Sequence, residues 1–156
     1  MNATNQRIAS HPFFRNLHPD HIRLICAAAR PVSFRAGETL FNEGEPANRF
    51  YLIESGAVAL DAQDSRHAAM PIQTIGAQEV LGWSWLFPPF VWHFRARAVE
   101  PTTALELDGA QLLAAAELDP AFGYNLMKRI AQLVIYRLQS TRRHLLDRAA
   151  NGVRAG

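Results

Sequence analysis

The densest chemistry in the 156-residue chain lies between Gly82 and Arg97. Trp83, Trp85, Phe87, Phe90, Trp92 and Phe94 put six of the fifteen aromatic residues into twelve positions. Rings at that density can line a pocket for a planar, heterocyclic or otherwise apolar ligand. Packed as ordinary core, they would fill the same space. Ser84, His93 and the backbone amides around Gly82 are the polar groups available to such a pocket. Strand alternation sets Trp92, Phe94 and Ala96 on one face and His93, Arg95 and Arg97 on the other. A slip of one residue would exchange the two faces. Pro88-Pro89 holds the intervening loop in restricted, extended backbone. The candidate ligand-binding set is therefore Gly82, Trp83, Ser84, Trp85, Phe90, Trp92, His93 and Arg95.

Catalytic chemistry has no comparable cluster. No Ser/His/Asp or Cys/His order, carboxylate pair or glycine-rich nucleotide loop stands out, and Glu79 beside the aromatic run is a lone acid. His18 and His21 stand three apart on an expected helix, but no third metal ligand accompanies them. Cys26 sits among Ile25 and Ala27 to Ala29 and reads as a small buried hydrophobe. A single cysteine excludes both an internal disulfide and a cysteine-based zinc cluster. The expectation is a non-enzymatic protein without a metal centre.

The elements that must position these residues follow from pattern. Residues 1–31 read as a helical segment, with His18-Pro19-Asp20 as a helix start and Pro31 as its end. Residues 32–107 change to short strands: Val32–Phe34, Thr39–Phe41, Phe50–Ile53, Ala57–Asp61, Pro71–Ile75, Phe94–Val99 and Ala104–Leu107. Turn residues such as Ala36-Gly37, Asn42-Glu43-Gly44 and Ser55-Gly56 separate them, which predicts an antiparallel roll or barrel. Residues 108–150 return to helix. Asp108 with Gln111 suits a capping box, and Asp119-Pro120 starts a second helix extending to about Arg148. Residues 151–156 read as a frayed tail. The predicted fold is thus α+β: an antiparallel β-roll of jelly-roll type flanked by an N-terminal helix and two C-terminal helices.

The stretch from Phe34 to Val58, with turn glycines Gly37, Gly44 and Gly56 and the strand Phe50-Tyr51-Leu52-Ile53, resembles the front half of cyclic-nucleotide-binding domains. Such domains occur in catabolite-activator-type regulators, cyclic-AMP-dependent kinase regulatory subunits and cyclic-nucleotide-gated channels. Ile75-Gly76, Leu81-Gly82 and the helices from Leu105 to Leu138 extend the likeness over about Phe13 to Arg142. The resemblance implies a sensor or regulatory domain. It also implies a phosphate-binding cassette after Gly82, with a ribose-binding glutamate beside the glycine and a phosphate-binding arginine about ten residues on. A buried phosphate needs such a positive partner. Here Trp83 occupies the glutamate slot, and the arginine slot falls within Phe90, Val91 and Trp92. Cyclic AMP or cyclic GMP binding in the usual way is therefore not expected, unless Arg95 or Arg97 serves in a shifted register.

Net charge is +2, yet it divides into +4 over residues 1–35, −8 over 36–120 and +6 over 121–156. Basic terminal helices docking on an acidic middle account for this, as does a surface for an acidic partner. No aromatic interleaving supports direct nucleic-acid reading. The space after the long helix leaves no room for a helix-turn-helix reader, so a stand-alone domain is expected. With no apolar run long enough for a bilayer and no signal-peptide core, cytoplasmic residence is the simplest reading. Leu126, Ile130, Val134, Leu138, Thr141 and Leu145 form one stripe on the last helix. It either packs on the roll or serves as the seam of a homodimer, as the resemblance implies. The expected partners are a small-molecule ligand or a protein, and the ligand's identity stays open.

Overall fold

The computed structural model describes residues 3–64, 67–82 and 90–155. The chain starts with α1 (Ala3–Ser10), a short 3-10 turn (Pro12–Phe14) and α2 (Pro19–Ala27). Eight strands follow: β1 (Ala29–Phe34), β2 (Thr39–Phe41), β3 (Arg49–Ser55), β4 (Ala57–Asp64), β5 (His67–Gly76), β6 (Val80–Leu81), β7 (Arg95–Ala98) and β8 (Thr102–Asp108). Then come α3 (Gly109–Leu118) and α4 (Pro120–Ala155). The strands form two four-stranded antiparallel sheets, in the orders β1-β8-β3-β6 and β2-β7-β4-β5. This is the expected α+β roll.

Three layers result, and β3 shows why. Its Phe50 and Leu52 join a core with Ile8, Phe14, Ile25, Leu105, Leu107, Leu112, Phe122, Leu126 and Ile130, so this face of the first sheet is covered by helices. Its Tyr51 and Ile53 join Phe41, Val58, Leu60, Ile75, Leu81, Trp92 and Ala96 between the two sheets. A strand buried on both faces reads as a continuous apolar run, which is what Phe50-Tyr51-Leu52-Ile53 is.

Local chemistry fixes the boundaries. The His18 Nδ1 accepts from the Asp20 N–H at 3.1 Å and caps α2, with Pro19 at the first helical position. Asp108 accepts from the Gln111 N–H and Asp119 from the Phe122 N–H, each at 3.2 Å, at the heads of α3 and α4. Gly56 holds the β3–β4 turn at φ +97°, where a Cβ would lie 2.5 Å from the Pro101 carbonyl oxygen and 2.7 Å from Thr102 Cα.

Four expectations need correction. The N-terminal segment is two α-helices joined by a 3-10 turn, rather than one helix. Pro31 does not end α2; the helix stops at Ala27, and Pro31 lies within β1 opposite Leu105. A proline without an N–H is tolerated there because β1 is an edge strand. Strand β6 was not foreseen, since two residues carry no periodicity. Residues 151–155, expected to fray, carry the backbone of α4 on to Ala155.

Candidate functional site

The expected ligand site lies where β6 runs out into Gly82 and the chain returns through Trp92. Gly82 adopts φ +93°, and a Cβ built there would stand 2.9 Å from the Arg49 carbonyl oxygen and 3.0 Å from Trp92 Cη2. Only glycine lets the backbone approach the ring this closely. Trp92 is buried and stacks on Phe41, with ring centroids 3.7 Å apart and planes inclined by 11°. Phe41 in turn stacks on Tyr51, and Tyr51 meets Phe34 edge-on. A row of rings thus crosses the inside of the roll beneath Gly82.

Backbone bonds hold Trp92 in place. Its N–H donates to the Glu45 carbonyl at 2.9 Å and its carbonyl accepts from the Gly44 N–H at 2.8 Å. The Ala47 N–H donates to the Phe90 carbonyl at 2.7 Å, and Pro46 bridges Val91. Phe90 itself takes φ +57° and leaves 43% of its surface exposed, an unfavourable backbone region for a bulky residue.

Alternation beyond Trp92 follows the unshifted register. Ala96 and Ala98 are buried, whereas His93 and Arg97 are exposed. His93 therefore points outward and is not one of the polar groups inside the roll, because successive strand residues face opposite sides. Arg95 shares that outer face. Its Nε and Nη2 donate to the two Asp61 oxygens at 3.0 and 2.9 Å, across the β7–β4 register. Asp61 is buried, so the guanidinium is committed to a charge-assisted fork. Trp83, Ser84, Trp85 and Phe87 lie outside the described residues.

Sequence reasoning passed over three participants. Phe41 and Tyr51 complete the ring stack, and only the tertiary fold brings them to Trp92. Burial, aided by a hydrogen bond to the Glu106 carboxylate, pushes the Tyr51 phenol far above its ordinary range. Glu106 also accepts from Arg30 Nε at 2.9 Å and lies 3.2 Å from Arg49 Nε. That cleft, about 260 Å³, holds Arg30, Arg49, Glu106 and Asp108, and its charges neutralise one another. The third participant is Arg137. On α4 the docked face runs through Phe122, Leu126, Ile130 and Leu133 to Arg137, which is only 6% exposed. Val134 and Leu138, read as part of a stripe that either packs on the roll or forms a homodimer seam, are 38% and 68% exposed. Burial pushes the Arg137 guanidinium down to about 10, with the charge of Glu79 acting against that shift.

Among the described residues, no group of three or more His, Cys, Asp or Glu side chains is placed to hold a metal ion. No helix there is long and apolar enough to cross a membrane.

Comparison with known proteins gives a consistent picture. The family model for the cyclic nucleotide-binding domain matches residues 31–119, more than half of the chain. A CRP-like cAMP-activated global transcriptional regulator of Mycobacterium tuberculosis is 28% identical over 142 residues, covering 90% of this chain. The chain spans 61% of that regulator's length. Among solved structures, a Geobacter metallireducens GS-15 protein provisionally assigned as cyclic nucleotide-binding superposes with a TM-score of 0.78 at 26% identity. That match covers 88% of this chain and 99% of the other. The Thermus thermophilus catabolite activator protein superposes with a TM-score of 0.67 at 25% identity, covering 86% of this chain and 61% of the other.

Proposed function

Because the chain belongs to the cyclic nucleotide-binding domain family, we propose that it is a non-catalytic sensor domain whose ligand, seated at Gly82 and Trp92, biases the position of α4. The observation that carries this reading is the division of α4. Its first half is clamped on the roll through Phe122, Leu126 and Ile130, and its second half leaves Ile135, Leu138, Leu145 and Leu146 exposed by 55–68%. A ligand that favours one seating of α4 then alters what the exposed half can associate with.

The exposed stripe pairs with a second copy, giving a homodimer through α4, since Leu138 and Leu145 recur at heptad spacing. Basic Arg142, Arg143 and Arg148 on the same exposed stretch favour an acidic protein partner and, without interleaved rings, give no grounds for direct nucleic-acid reading. Cyclic AMP is not held in the usual way. Trp83 occupies the ribose carboxylate slot, the arginine slot is apolar, and Arg95 is engaged by Asp61. The domain works in the cytoplasm.

A second reading is a ligand-free interaction module, and the Trp92–Phe41 stack inside the roll favours it. One experiment separates the two. The purified chain is titrated with cyclic AMP, cyclic GMP and cyclic dinucleotides by calorimetry and thermal shift, with sedimentation velocity alongside. A ligand that prefers one folded arrangement raises the melting temperature by mass action and shifts the sedimentation profile. Saturation that changes neither association nor helix position defeats the sensor reading. Leu138→Glu is expected to convert dimer to monomer; an unchanged sedimentation coefficient defeats the dimer.

A further inference from the structure

We infer that His11 makes the seat of α4 sensitive to acid: its neutral imidazole caps the turn that Arg129 of α4 grips, and its protonation releases that grip. The effector is a proton, so the inference stands apart from any ligand at Gly82 and Trp92.

One residue joins the imidazole to the helix. The Phe13 N–H donates to His11 Nδ1 at 3.2 Å, and the Phe13 carbonyl accepts from Arg129 Nη1 at 2.7 Å. Arg129 Nη2 donates to the Arg15 carbonyl at 2.9 Å, so the guanidinium spans the end of the turn. The turn itself closes through the Phe14 N–H on the His11 carbonyl at 3.0 Å. Phe13 also sets its ring edge-on to Phe50 of β3, with centroids 5.5 Å apart. Beside the Arg129 bonds a groove of about 260 Å³ opens between Pro12 and Phe13 on one side and Gln132 and Tyr136 on the other. At that groove, polar bonds rather than close packing tie the turn to α4.

An imidazole nitrogen accepts a hydrogen bond only while it carries no proton. His11 is 3% exposed and its Nδ1 already receives the Phe13 N–H. A proton placed there breaks the cap and leaves a charge out of water. Burial accordingly pushes the imidazole below its ordinary range. The charges around it come from three elements. Glu54 of β3 favours the imidazolium, but that carboxylate is held by Arg7 of α1, whose Nε donates at 2.8 Å. Helix α4 contributes Arg129, a like charge on the same turn. In the opened turn the imidazole returns to about 6.5. The pKa is lower in the closed turn, so the closed form is favoured above that pH and gives way as acid is added. Opening withdraws the Phe13 and Arg15 carbonyls from Arg129, and α4 loses its hold on the N-terminal segment.

The test is hydrogen exchange of the full chain, followed by mass spectrometry between about pH 5 and 7.5 and corrected for the intrinsic pH dependence of exchange. As the pH falls, protection is expected to drop several-fold in residues 11–17 and 126–137 together, while β3 and β8 keep theirs. His11→Asn, which retains a capping oxygen but takes no proton, should hold both segments throughout. Arg129→Met should leave the turn responsive to acid and remove the response of α4. Equal pH responses in wild type and His11→Asn overturn the inference, as does a turn that opens while α4 stays protected. Coupling of this kind is reciprocal. Arg129→Met, by freeing the turn, should therefore raise the His11 pKa, read by nuclear magnetic resonance, toward about 6.5. A pKa that does not move overturns the link to α4, and this titration decides if His11→Asn does not fold.

Discussion

Substituting Gly82 and Trp92 together tests the geometry of the site most sharply. Gly82→Ala places a side chain on backbone at φ +93°, which costs about 1–2 kcal/mol for the left-handed conformation. Its Cβ would also stand 2.9 Å from the Arg49 carbonyl oxygen and 3.0 and 3.1 Å from two Trp92 ring carbons, an overpacking worth about 1–3 kcal/mol. Trp92→Ala removes a buried ring stacked on Phe41, a loss of about 3–5 kcal/mol. Were the two independent, the double variant would cost the sum, a large part of the roughly 5–15 kcal/mol that holds such a domain together. They share a contact, however. With the indole gone, the alanine methyl has only the Arg49 carbonyl and the backbone strain to contend with. The double variant should therefore be more stable than additivity predicts, by about 1–2 kcal/mol. Urea unfolding followed by far-ultraviolet circular dichroism measures all four corners, with a stabilising osmolyte in every sample if the double variant is marginal. Additivity within about 0.5 kcal/mol would refute the contact. A cost for Trp92→Ala below about 1 kcal/mol would refute its place in the core.

Arg95→Ala should destabilise the fold by about 1–3 kcal/mol, because it strips a buried Asp61 of two charge-assisted bonds; Asp61→Asn in the same background should recover part of this loss, and no recovery in chemical denaturation would sink the pairing. Burial lowers the pKa of His11, whose Nδ1 accepts from the Phe13 N–H at 3.2 Å, with the Ile53 carbonyl and Glu54 acting in the opposite sense. Its folded pKa thus lies below the unfolded value of about 6.5, so its contribution is intact above that pH and lost as pH falls through the folded pKa. His11→Asn keeps a capping acceptor but cannot titrate, so its urea midpoint should vary less over that acidic window, and identical pH profiles would count against the assignment.

Much of the fold was legible because its signals are local. Thr39–Phe41 needed only β-favouring residues between turns, and the starts of α2, α3 and α4 needed only a capping side chain and, in two cases, a proline. Gly82 was legible as a turn glycine, although the ring against it was not. What stayed hidden depends on residues far apart in the chain. The Arg95–Asp61 fork spans 34 positions, and the Trp92–Phe41 stack joins two strands through the closure of the roll. Strand β6 is too short for periodicity to register, and its existence follows from pairing with β3. The burial of Arg137 is not legible either, because a stripe drawn through Val134 and Leu138 leaves position 137 to one side. A straight helix with 3.6 residues per turn brings Leu133 and Arg137 round to the docked face instead.

The position of β8 bears on how the chain is made as well as on what it becomes. It lies inside its sheet, pairing β1 on one side and β3 on the other, yet it comes last in sequence among the eight described strands. During synthesis only the short β3–β6 pairing of that sheet can form early, and β1 must wait, unpartnered, until Asp108 has left the ribosome. Pro31 then serves a second purpose, since a waiting strand without one of its N–H groups is a poor template for a stray neighbour. The centre of the sheet arrives last, so the roll, the helix-covered core and the seat for α4 are completed together by a single, late and non-local pairing.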